Sequence, residues 1–242
     1  MAVDSLPRRS VVDLLEARLR EAILGGTHKP GSLLPPEREL AAGYGVTRTT
    51  LKHALTRLEK SGLLSTRHGI GTRILDYLQL GGADLLPMLA AQDHGWLREI
   101  FEARRHIGTL IAGRAATRRT ARQARRLEEL LRLVADAPDP DSIQLADVEV
   151  HRELARATGN RVYVLLTNTL LNAYLPLRTT LQAPFEDATQ AWKRLAPVVH
   201  AVVDRQGEDA QRAAEAYLRG TEKIMLNSLE HGRRSSAVDN SG

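Results

Sequence analysis

The chain has 242 residues, with 34 lysine and arginine side chains against 29 aspartate and glutamate, and no cysteine. This length suffices for two modest domains with apolar cores, and the lack of cysteine excludes disulfides, thiolate metal ligands and cysteine nucleophiles. The sequence contains no run of about 18 apolar residues that would cross a membrane, and no apolar stretch behind a basic start that would form a secretory signal. We therefore expect a cytoplasmic protein without a membrane partner.

Positive charge is concentrated in the first third of the chain. Residues 1–75 hold twelve bases and seven acids, whereas residues 76–242 hold twenty-two of each. Between Thr47 and Arg73 there are six bases and one acid. A basic excess in a small domain is typical of proteins that bind the phosphate backbone of nucleic acids. Taken alone, the charge is equally typical of a solvated arginine-rich surface.

The first 60 residues contain the sequence patterns of three helices. Apolar residues recur at helical spacing from Val11 to Leu24 and stop at two glycines. Glu37 follows two prolines and favours the start of a second helix, which breaks at Gly43. Thr47 is suited to cap a third helix. The apolar face of this third helix consists of Leu51, Ala54, Leu55 and Leu58.

A basic hairpin comes after the third helix. Two short strands, Leu63 to Thr66 and Thr72 to Leu75, flank a turn at residues 68–71. Three helices and then such a hairpin predict a winged helix-turn-helix, in which the N-terminal residues of the third helix enter the major groove. The alternative is a three-helix domain that binds no DNA. The bases argue against it, because they lie on the face that the apolar stripe leaves free.

The rest of the chain predicts helices almost throughout. Gly81 and Gly82 indicate a linker over residues 76–84. Breaks at glycine and proline divide the chain beyond this linker, and Pro176 and Pro197 are each expected to kink a helix. Residues 231–242 are small and polar, and we expect a disordered tail there. The predicted helices cover residues 95–117, 121–135, 142–158, 161–181, 185–206 and 209–229.

The predicted fold class is mainly α. A winged helix-turn-helix with a small two-stranded wing is predicted over residues 8–75, and an all-α helical bundle over residues 85–230.

Motifs in both predicted domains resemble one family. The string PGSLLPPERELA from Pro30, followed by GVTRTTL from Gly45, closely resembles the GntR family of bacterial regulators. In the bundle, the FEARR string from Phe101 and the segment from Asp147 to Asn160 are similar to the FadR branch, whose C-terminal part is an FCD-type domain. The resemblance implies a transcription regulator, with the bundle serving for effector binding and dimerisation.

The resemblance also implies how DNA is bound. The expected partner is double-stranded operator DNA with a short palindrome. The two DNA-binding domains of a homodimer are expected to meet on this palindrome. Lys52 departs from the arginine that fatty-acid-responsive members often carry, and a lysine holds phosphate well but reads guanine less well. By motif position, the expected DNA contacts are Arg38, Thr47, Arg48, Thr49, Thr50 and Lys52, with His68 and Gly69 at the tip of the wing.

Two alternatives remain open for the effector. In the first, a divalent metal is held by one aspartate and three histidines, as in many FadR-branch proteins, and a small organic acid completes the site. Asp147 and His151 are spaced i, i+4 on one helical face, and this ligand pair suits zinc, nickel or manganese. His200 is the candidate third ligand. The fourth histidine is missing, and Glu222 would be its substitute.

The second alternative is that of the members that respond to a fatty acyl-CoA, which do not use the metal ligands. Arg104 suits a carboxylate or a phosphate in either case, because its fixed fork of donors matches such anions. A plain hydrogen-bonded pair of Asp147 and His151 is also compatible with the spacing. The residues expected to bind the effector are Arg104, Asp147, His151, Tyr174 and Arg178.

Two other classes of protein fit the sequence less well than a regulator does. A metal hydrolase built on Asp147, His151 and His200 lacks an evident general base, and the chain has no phosphate-binding glycine loop and no nucleophile elbow. A nonspecific architectural DNA binder would explain the basic domain but not the large neutral helical domain. We therefore expect a regulator and not an enzyme.

Overall fold

The computed structural model describes the backbone of residues 10–239 and the side chains of residues 10–230. The chain divides into two compact units, of which the first ends at Gln92 and the second begins at Asp93. The predicted linker over residues 76–84 lies within the first unit, where it contains a short helix. This unit therefore extends further along the chain than the predicted end of the wing at residue 75.

The first unit contains the three helices and the two-stranded wing that the sequence predicts, followed by two short helices. Its strands are antiparallel, with Leu64 opposite Ile74 and Arg67 opposite Gly71. Gly69 lies in the turn between them with φ +78°, a conformation that favours glycine. The elements are α1 (Val11–Leu24), α2 (Glu37–Gly43), α3 (Arg48–Lys60), β1 (Leu64–Arg67), β2 (Gly71–Ile74), α4 (Tyr77–Leu80) and α5 (Leu86–Gln92).

Helix α3 is held in place by the burial of its apolar face and by contacts with α1. Leu51, Ala54, Leu55 and Leu58 are all buried, as predicted. Helix α1 packs against α3, and Arg57 Nη1 of α3 pairs with Asp13 Oδ1 of α1 at 2.6 Å and with Glu16 Oε2 at 3.2 Å. The side chain of Ser10 caps α1 and exchanges hydrogen bonds with Asp13. This packing leaves the opposite face of α3 to solvent.

The second unit is a bundle of helices, of which the first and last run antiparallel. Arg98 near the start of α6 pairs with Glu230 of α11, and Arg105 further along α6 pairs with Glu215. In the described part of the chain, no helix has the length and hydropathy needed to cross a membrane. The helices are α6 (His94–Arg118), α7 (Ala121–Asp136), α8 (Pro140–Ala157), α9 (Arg161–Tyr174), α10 (Ala188–Val203) and α11 (Gly207–Asp239).

Two helix ends differ from the sequence prediction. Helix α9 ends at Tyr174 and not at residue 181, because Pro176 lacks an N–H group and disfavours helical geometry in the residue before it. Pro197 lies inside α10. Helix α11 continues to Asp239, through much of the predicted disordered tail, and no proline interrupts that stretch. Residues 240–242 of the predicted tail lie outside the described residues.

The contact between α1 and α3 predicts a pH-dependent stability. Hydrogen bonds from Arg57 and Ser10 lower the pKa of Asp13 from 3.8 to about 2. The folded state therefore gains stability from this carboxylate above pH 3.8, and loses it as the pH falls toward 2. We expect Asp13→Asn to lower the melting temperature at pH 6, and the difference from the wild type to vanish between about pH 4 and pH 2.

Circular dichroism melts over this pH range measure the difference. Glu21→Gln, a neutralisation in the same helix at an exposed side chain, is the matched control and should show no comparable pH-dependent difference. A constant difference between Asp13→Asn and the wild type down to pH 2 would contradict the role of the ion pair.

Candidate functional site

The solvent face of α3 carries a compact group of polar side chains near the N-terminus of the helix. Arg48, Thr49 and Lys52 are exposed, and the buried leucines lie on the opposite side of the helix. Arg48 and Lys52 are one turn apart, so that both side chains project from the same side. The N-terminal end of a helix also carries a partial positive charge. This face therefore suits a polyanionic surface.

Two of the predicted DNA contacts also serve as the cap of α3. The Thr47 hydroxyl accepts a hydrogen bond from the Thr50 backbone N–H at 3.1 Å, and the two hydroxyls lie 2.9 Å apart. Such a cap fixes the first turn of the helix. Thr47 and Thr50 therefore hold the helix start in place, while the hydroxyl of Thr49 remains free among the described residues.

Arg38 and the wing complete the exposed basic surface. Arg38 on α2 is exposed. The carboxylate of Glu37, also on α2, lies 3.9 Å from Arg48 Nη2. Exposed pairs at this distance are weak, so a stronger anion can displace the carboxylate. His68 and Gly69 occupy the exposed turn of the wing. The first unit thus presents all the predicted DNA contacts at or near its surface.

The second unit contains a small cavity between α6, α8, α9 and α11. Its volume is about 30 Å³, roughly the space that one water molecule takes up. Most of its wall is apolar, and the polar lining consists of Arg104, His151 and Thr167. Gly108 contributes to the wall from α6, where a Cβ atom would lie 2.6 Å from Cδ1 of Leu218. The apolar lining side chains are Ile107, Ile111, Leu154, Leu170, Leu171 and Leu218.

Polar side chains from four helices meet beside this cavity. Arg104 of α6 has a guanidinium carbon 5.4 Å from the centre of the Tyr174 ring of α9, which is cation–π geometry. Its Nη2 lies 3.2 Å from Nε2 of His151 on α8. One turn earlier on α8, Asp147 Oδ2 lies 3.6 Å from the same nitrogen. Tyr217 of α11 donates its hydroxyl hydrogen to Asp147 Oδ1. We call these five residues the buried cluster.

The protonation states in the buried cluster follow from burial. Burial raises the pKa of Asp147 to about 6, and Arg104, the Tyr217 hydroxyl and Arg194 limit that rise. Burial and the nearby Arg104 lower the pKa of His151 well below 6.5. At neutral pH His151 is therefore uncharged, and Nε2 accepts a hydrogen bond from Arg104, which is always protonated. Asp147 is largely ionised at this pH.

Several polar atoms in this bundle are buried without a partner. Within the described side chains they are both amide atoms of Gln144, the hydroxyl of Thr167 and Nε of Arg194. A buried polar atom without a hydrogen bond costs about 1–3 kcal/mol. Thr167 lines the cavity, so its unpaired hydroxyl is placed where a bound molecule can satisfy it.

Four of the five predicted effector residues come together, and one does not. Arg104, Asp147, His151 and Tyr174 all belong to the buried cluster. Arg178 is absent from the cavity lining, and its Nε instead pairs with Asp141 Oδ1 at 2.6 Å. Because α9 ends before Pro176, Arg178 lies on the irregular segment after the helix and not on the helix face that lines the cavity.

The predicted metal ligands do not fit a metal site. His200 is exposed on α10, with its ring 6.5 Å from that of Trp192. The described residues contain no group of three acidic or histidine side chains arranged to hold an ion. The nitrogen of His151 that faces Asp147 also faces the guanidinium of Arg104, and Tyr217 uses one oxygen of Asp147. A cation between Asp147 and His151 would be repelled by Arg104 at close range.

The predicted effector residues do not include two polar residues of this site, although the stretch from Tyr217 to Thr221 resembles regions that line the cavity in acyl-CoA-responsive members of the family. Tyr217 and Thr167 lie far from Asp147 in sequence, so only the packing of α9 and α11 against α6 and α8 brings them near. The spacing of Arg104, Gly108 and Ile111 at i, i+4 and i+7 is a signal that could have indicated one face of α6 lining a pocket.

Comparisons with known proteins match both units. The family described as bacterial regulatory proteins, gntR family, matches residues 12–74, and the FCD domain matches residues 99–220. The Uncharacterized HTH-type transcriptional regulator Rv0494 of Mycobacterium tuberculosis is 33% identical over 222 residues, covering 91% of this chain and 92% of the relative. The Fatty acid metabolism regulator protein of Edwardsiella ictaluri is 35% identical over 173 residues, covering 69% and 70%.

A solved structure shows the same fold at lower identity. The structure of Lar from Listeria monocytogenes has a TM-score of 0.59 and 15% sequence identity, and the match covers 92% of this chain and 99% of that one. At this identity, the likeness concerns the fold alone.

The hydrogen bond between Tyr217 and Asp147 predicts a loss of stability on its removal. Tyr217→Phe leaves a buried carboxylate without its donor, and we expect the free energy of unfolding to fall by about 1–3 kcal/mol. Urea unfolding followed by circular dichroism measures it. Tyr163→Phe, at a half-buried tyrosine on α9 outside the cluster, is the control. Equal effects of the two substitutions would argue against the hydrogen bond.

Proposed function

The chain belongs to the GntR family of bacterial regulatory proteins and carries an FCD domain, and from this premise we propose that an effector in its helical unit controls operator binding by a homodimer. Transcription regulation and DNA binding are properties of the family, whose members are regulators and not enzymes.

The observation that carries the proposal is the exposed polar face of α3. Arg48, Thr49 and Lys52 lie on the outer side of a helix whose leucines are fully used in the core. An arginine at this place can donate two hydrogen bonds to a guanine edge, and a threonine can contact a thymine methyl group. Lys52 suits a phosphate. Arg38, Thr47, Thr50 and the wing residues His68 and Gly69 then position the helix on the backbone and the minor groove.

A homodimer is supported by an apolar face on α9. Val162, Leu165 and Leu166 are 58%, 65% and 39% exposed. They are spaced i, i+3 and i+4, so they share one side of the helix. A face of this kind costs free energy in water and is relieved when a second copy covers it. A two-fold assembly also matches a palindromic operator.

The cavity in the second unit supports control by a small molecule. Its lining is apolar with a few polar groups, which is the composition expected of a ligand site. A fatty acyl-CoA is the first candidate effector, because relatives are named fatty acid metabolism regulators. A small organic acid is the second. Either must prefer the conformation that binds DNA poorly, and a coupling of about 1–3 kcal/mol loosens binding roughly five- to 150-fold.

The proposed function is tested on the full-length protein with DNA from its own promoter region. DNase I footprinting should reveal a discrete protected palindrome, and sedimentation velocity should show two copies per operator. Featureless protection, or binding by a single copy, would refute the proposed regulator. Fluorescence anisotropy with the footprinted operator then measures release by palmitoyl-CoA or by small organic acids.

Replacement of Arg48 tests the reading of bases. We expect Arg48→Ala to reduce the preference for the operator over random DNA by about 1–3 kcal/mol, because a bidentate arginine contact discriminates by that amount. Anisotropy titrations on both DNAs measure the preference, and sedimentation should show an intact dimer. An equal loss of affinity on both DNAs would contradict base reading by this residue.

Replacement of Lys52 tests a phosphate contact. We expect Lys52→Ala to reduce the slope of log affinity against log salt concentration by about one, because one fewer counterion is released. Lys60→Ala, at the exposed far end of the same helix, should leave the slope unchanged. The salt series is measured on the operator by anisotropy. Identical slopes for the wild type and Lys52→Ala would exclude the contact.

A further inference from the structure

We propose that a groove between α7 and α8 binds a linear oligophosphate, a free chain of phosphate groups of which inorganic tripolyphosphate is the simplest probe. This groove shares no lining residue with the cavity beside Arg104. The site is therefore distinct from the DNA-binding face and from the buried cluster, and its existence does not depend on the proposed function. The side chains that would contact the phosphates are Arg122, Gln123, Arg125, Arg126 and Arg156.

The start of α7 is strongly basic. Five arginines and no acid lie between residues 118 and 126. Two of the five have a structural use, because Arg118 donates to the Thr158 carbonyl at the end of α8 and Arg119 donates to carbonyls at the end of α10. The other three line the groove, and Arg156 of α8 adds a fourth guanidinium. The groove thus collects four cations from two helices.

The acids of the groove leave much of this charge uncompensated. Arg126 pairs with Glu129 at 3.1 Å, and Arg156 pairs with Glu153 at 3.2 Å. Both arginines are about half exposed, so these pairs are weak and can open for a more highly charged anion. The two remaining arginines of the groove have no acidic partner among the described side chains. These two are Arg122 and Arg125.

The unpaired arginines also lie where a helix disfavours a cation. Helix α7 begins at Ala121, its first turn contains no acid, and Arg122 lies in that turn. The N-terminal end of a helix carries a partial positive charge, so a cation there is repelled and an anion is stabilised. An anion in the groove would offset the repulsion between the helix end and the arginines.

Gln123 presents a further donor to the groove. Its Oε1 accepts hydrogen bonds from the backbone N–H and the hydroxyl of Thr120, each at 3.0 Å, in the capping box of α7. Because the oxygen is held by the cap, the amide nitrogen is the polar atom of this side chain that is left for a ligand. The groove therefore offers N–H donors from five side chains.

The lining favours phosphates over other ligands. Every side chain that lines the groove is charged or carries an amide, so an apolar effector gains no contact there, and no aromatic ring is placed to stack on a base. Guanidinium groups match phosphate oxygens with two parallel hydrogen bonds. Arg122 and Arg126 are one turn apart, about 6 Å along the helix axis. They can therefore contact different phosphates of one chain.

The shape of the groove favours a narrow chain over a duplex. Its volume is about 520 Å³, which is within the range of roughly 300–1,000 Å³ for small-molecule sites. A concave space between two helices admits a flexible chain of phosphates, whereas the phosphates of duplex DNA lie on a convex surface and reach only the rim.

Isothermal titration calorimetry of the full-length protein with sodium tripolyphosphate, in low salt without divalent cations, tests the site. We expect saturable binding of one tripolyphosphate per protein chain, retained in the α3 variant Arg48→Ala/Lys52→Ala. Orthophosphate and citrate should bind about tenfold more weakly or worse, because neither extends along the groove to meet all four arginines. Equal affinity for citrate, or loss of binding in the α3 variant, overturns the proposal.

A double variant and a matched control locate the site. We expect Arg122→Gln/Arg125→Gln to weaken tripolyphosphate binding roughly 10- to 100-fold, because two charge-assisted contacts are lost. Arg114→Gln/Arg132→Gln removes two exposed arginines of α6 and α7 that lie outside the groove, and it should bind tripolyphosphate like the wild type. Equal losses in both double variants would mean that net charge alone governs binding, and would overturn the site.

Melting temperatures in low salt provide a second readout. Without ligand, Arg122→Gln/Arg125→Gln should melt above the wild type, because cations are removed from the positive end of α7. Tripolyphosphate should raise the melting temperature of the wild type and not that of this variant. A variant that melts below the wild type and is still stabilised by tripolyphosphate contradicts the site.

Two further ligands separate a free phosphate chain from other sources of phosphate. ATP should bind within about threefold of tripolyphosphate, because its base finds no stacking partner; ATP that binds about tenfold more tightly or better would identify a nucleotide site and overturn the free chain. Random duplex DNA, followed by fluorescence anisotropy, should bind Arg122→Gln/Arg125→Gln as it binds Arg114→Gln/Arg132→Gln. A selective loss in the groove variant would assign the groove to nucleic acid and overturn the proposal.

Discussion

The helical unit is organised around a charge that cannot be neutralised. A guanidinium stays protonated at any pH the protein meets, and Arg104 holds one in the interior of the bundle. Burial of an unpaired ion costs several kcal/mol, so surrounding groups must compensate. The Tyr174 ring, the neutral ring of His151 and the more distant Asp147 do so in part. Because these groups come from α6, α8 and α9, with Tyr217 of α11 holding Asp147, a single charge links four helices at the wall of the cavity.

The two units use basic side chains in opposite ways. In the first unit the arginines and lysines of α3 lie in water, where the leucines behind them hold the helix in place and a surface anion is the natural partner. In the second unit several bases pair with acids of the same bundle, as Arg105 does with Glu215, whereas Arg104 lies buried beside the cavity with no such ion pair among the described residues. Residues 76–242 contain equal numbers of acids and bases. This overall balance does not reveal that the charge of the buried Arg104 is only partly compensated.

The periodicity of apolar residues was sufficient to predict the helices, the wing and the solvent face of α3. The apolar residues of a helix face the core, and their positions therefore also determine which face is exposed. The pairing of Asp147 and His151 followed from their i, i+4 spacing. The exposed position of His200 could not be predicted in this way, because the sequence does not determine how one helix is rotated relative to another. The stripe of Leu195 and Val199 faces inward, and the residue after Val199 is turned about 100° away from it. Contacts across helices, such as Tyr217 with Asp147, have no signature in a single sequence.

The threonine cap of α3 has a consequence for how much of a genome the protein can tell apart. With the hydroxyls of Thr47 and Thr50 occupied by each other, the first turn of α3 would present Arg48 and Thr49 to the base edges in the proposed complex, with Lys52 at a phosphate. Two neighbouring side chains address only a few base pairs, and a sequence that short recurs by chance throughout any chromosome. Selectivity of the proposed dimer would then depend on two such half-sites at a fixed separation, so that their spacing carries as much information as their base sequence.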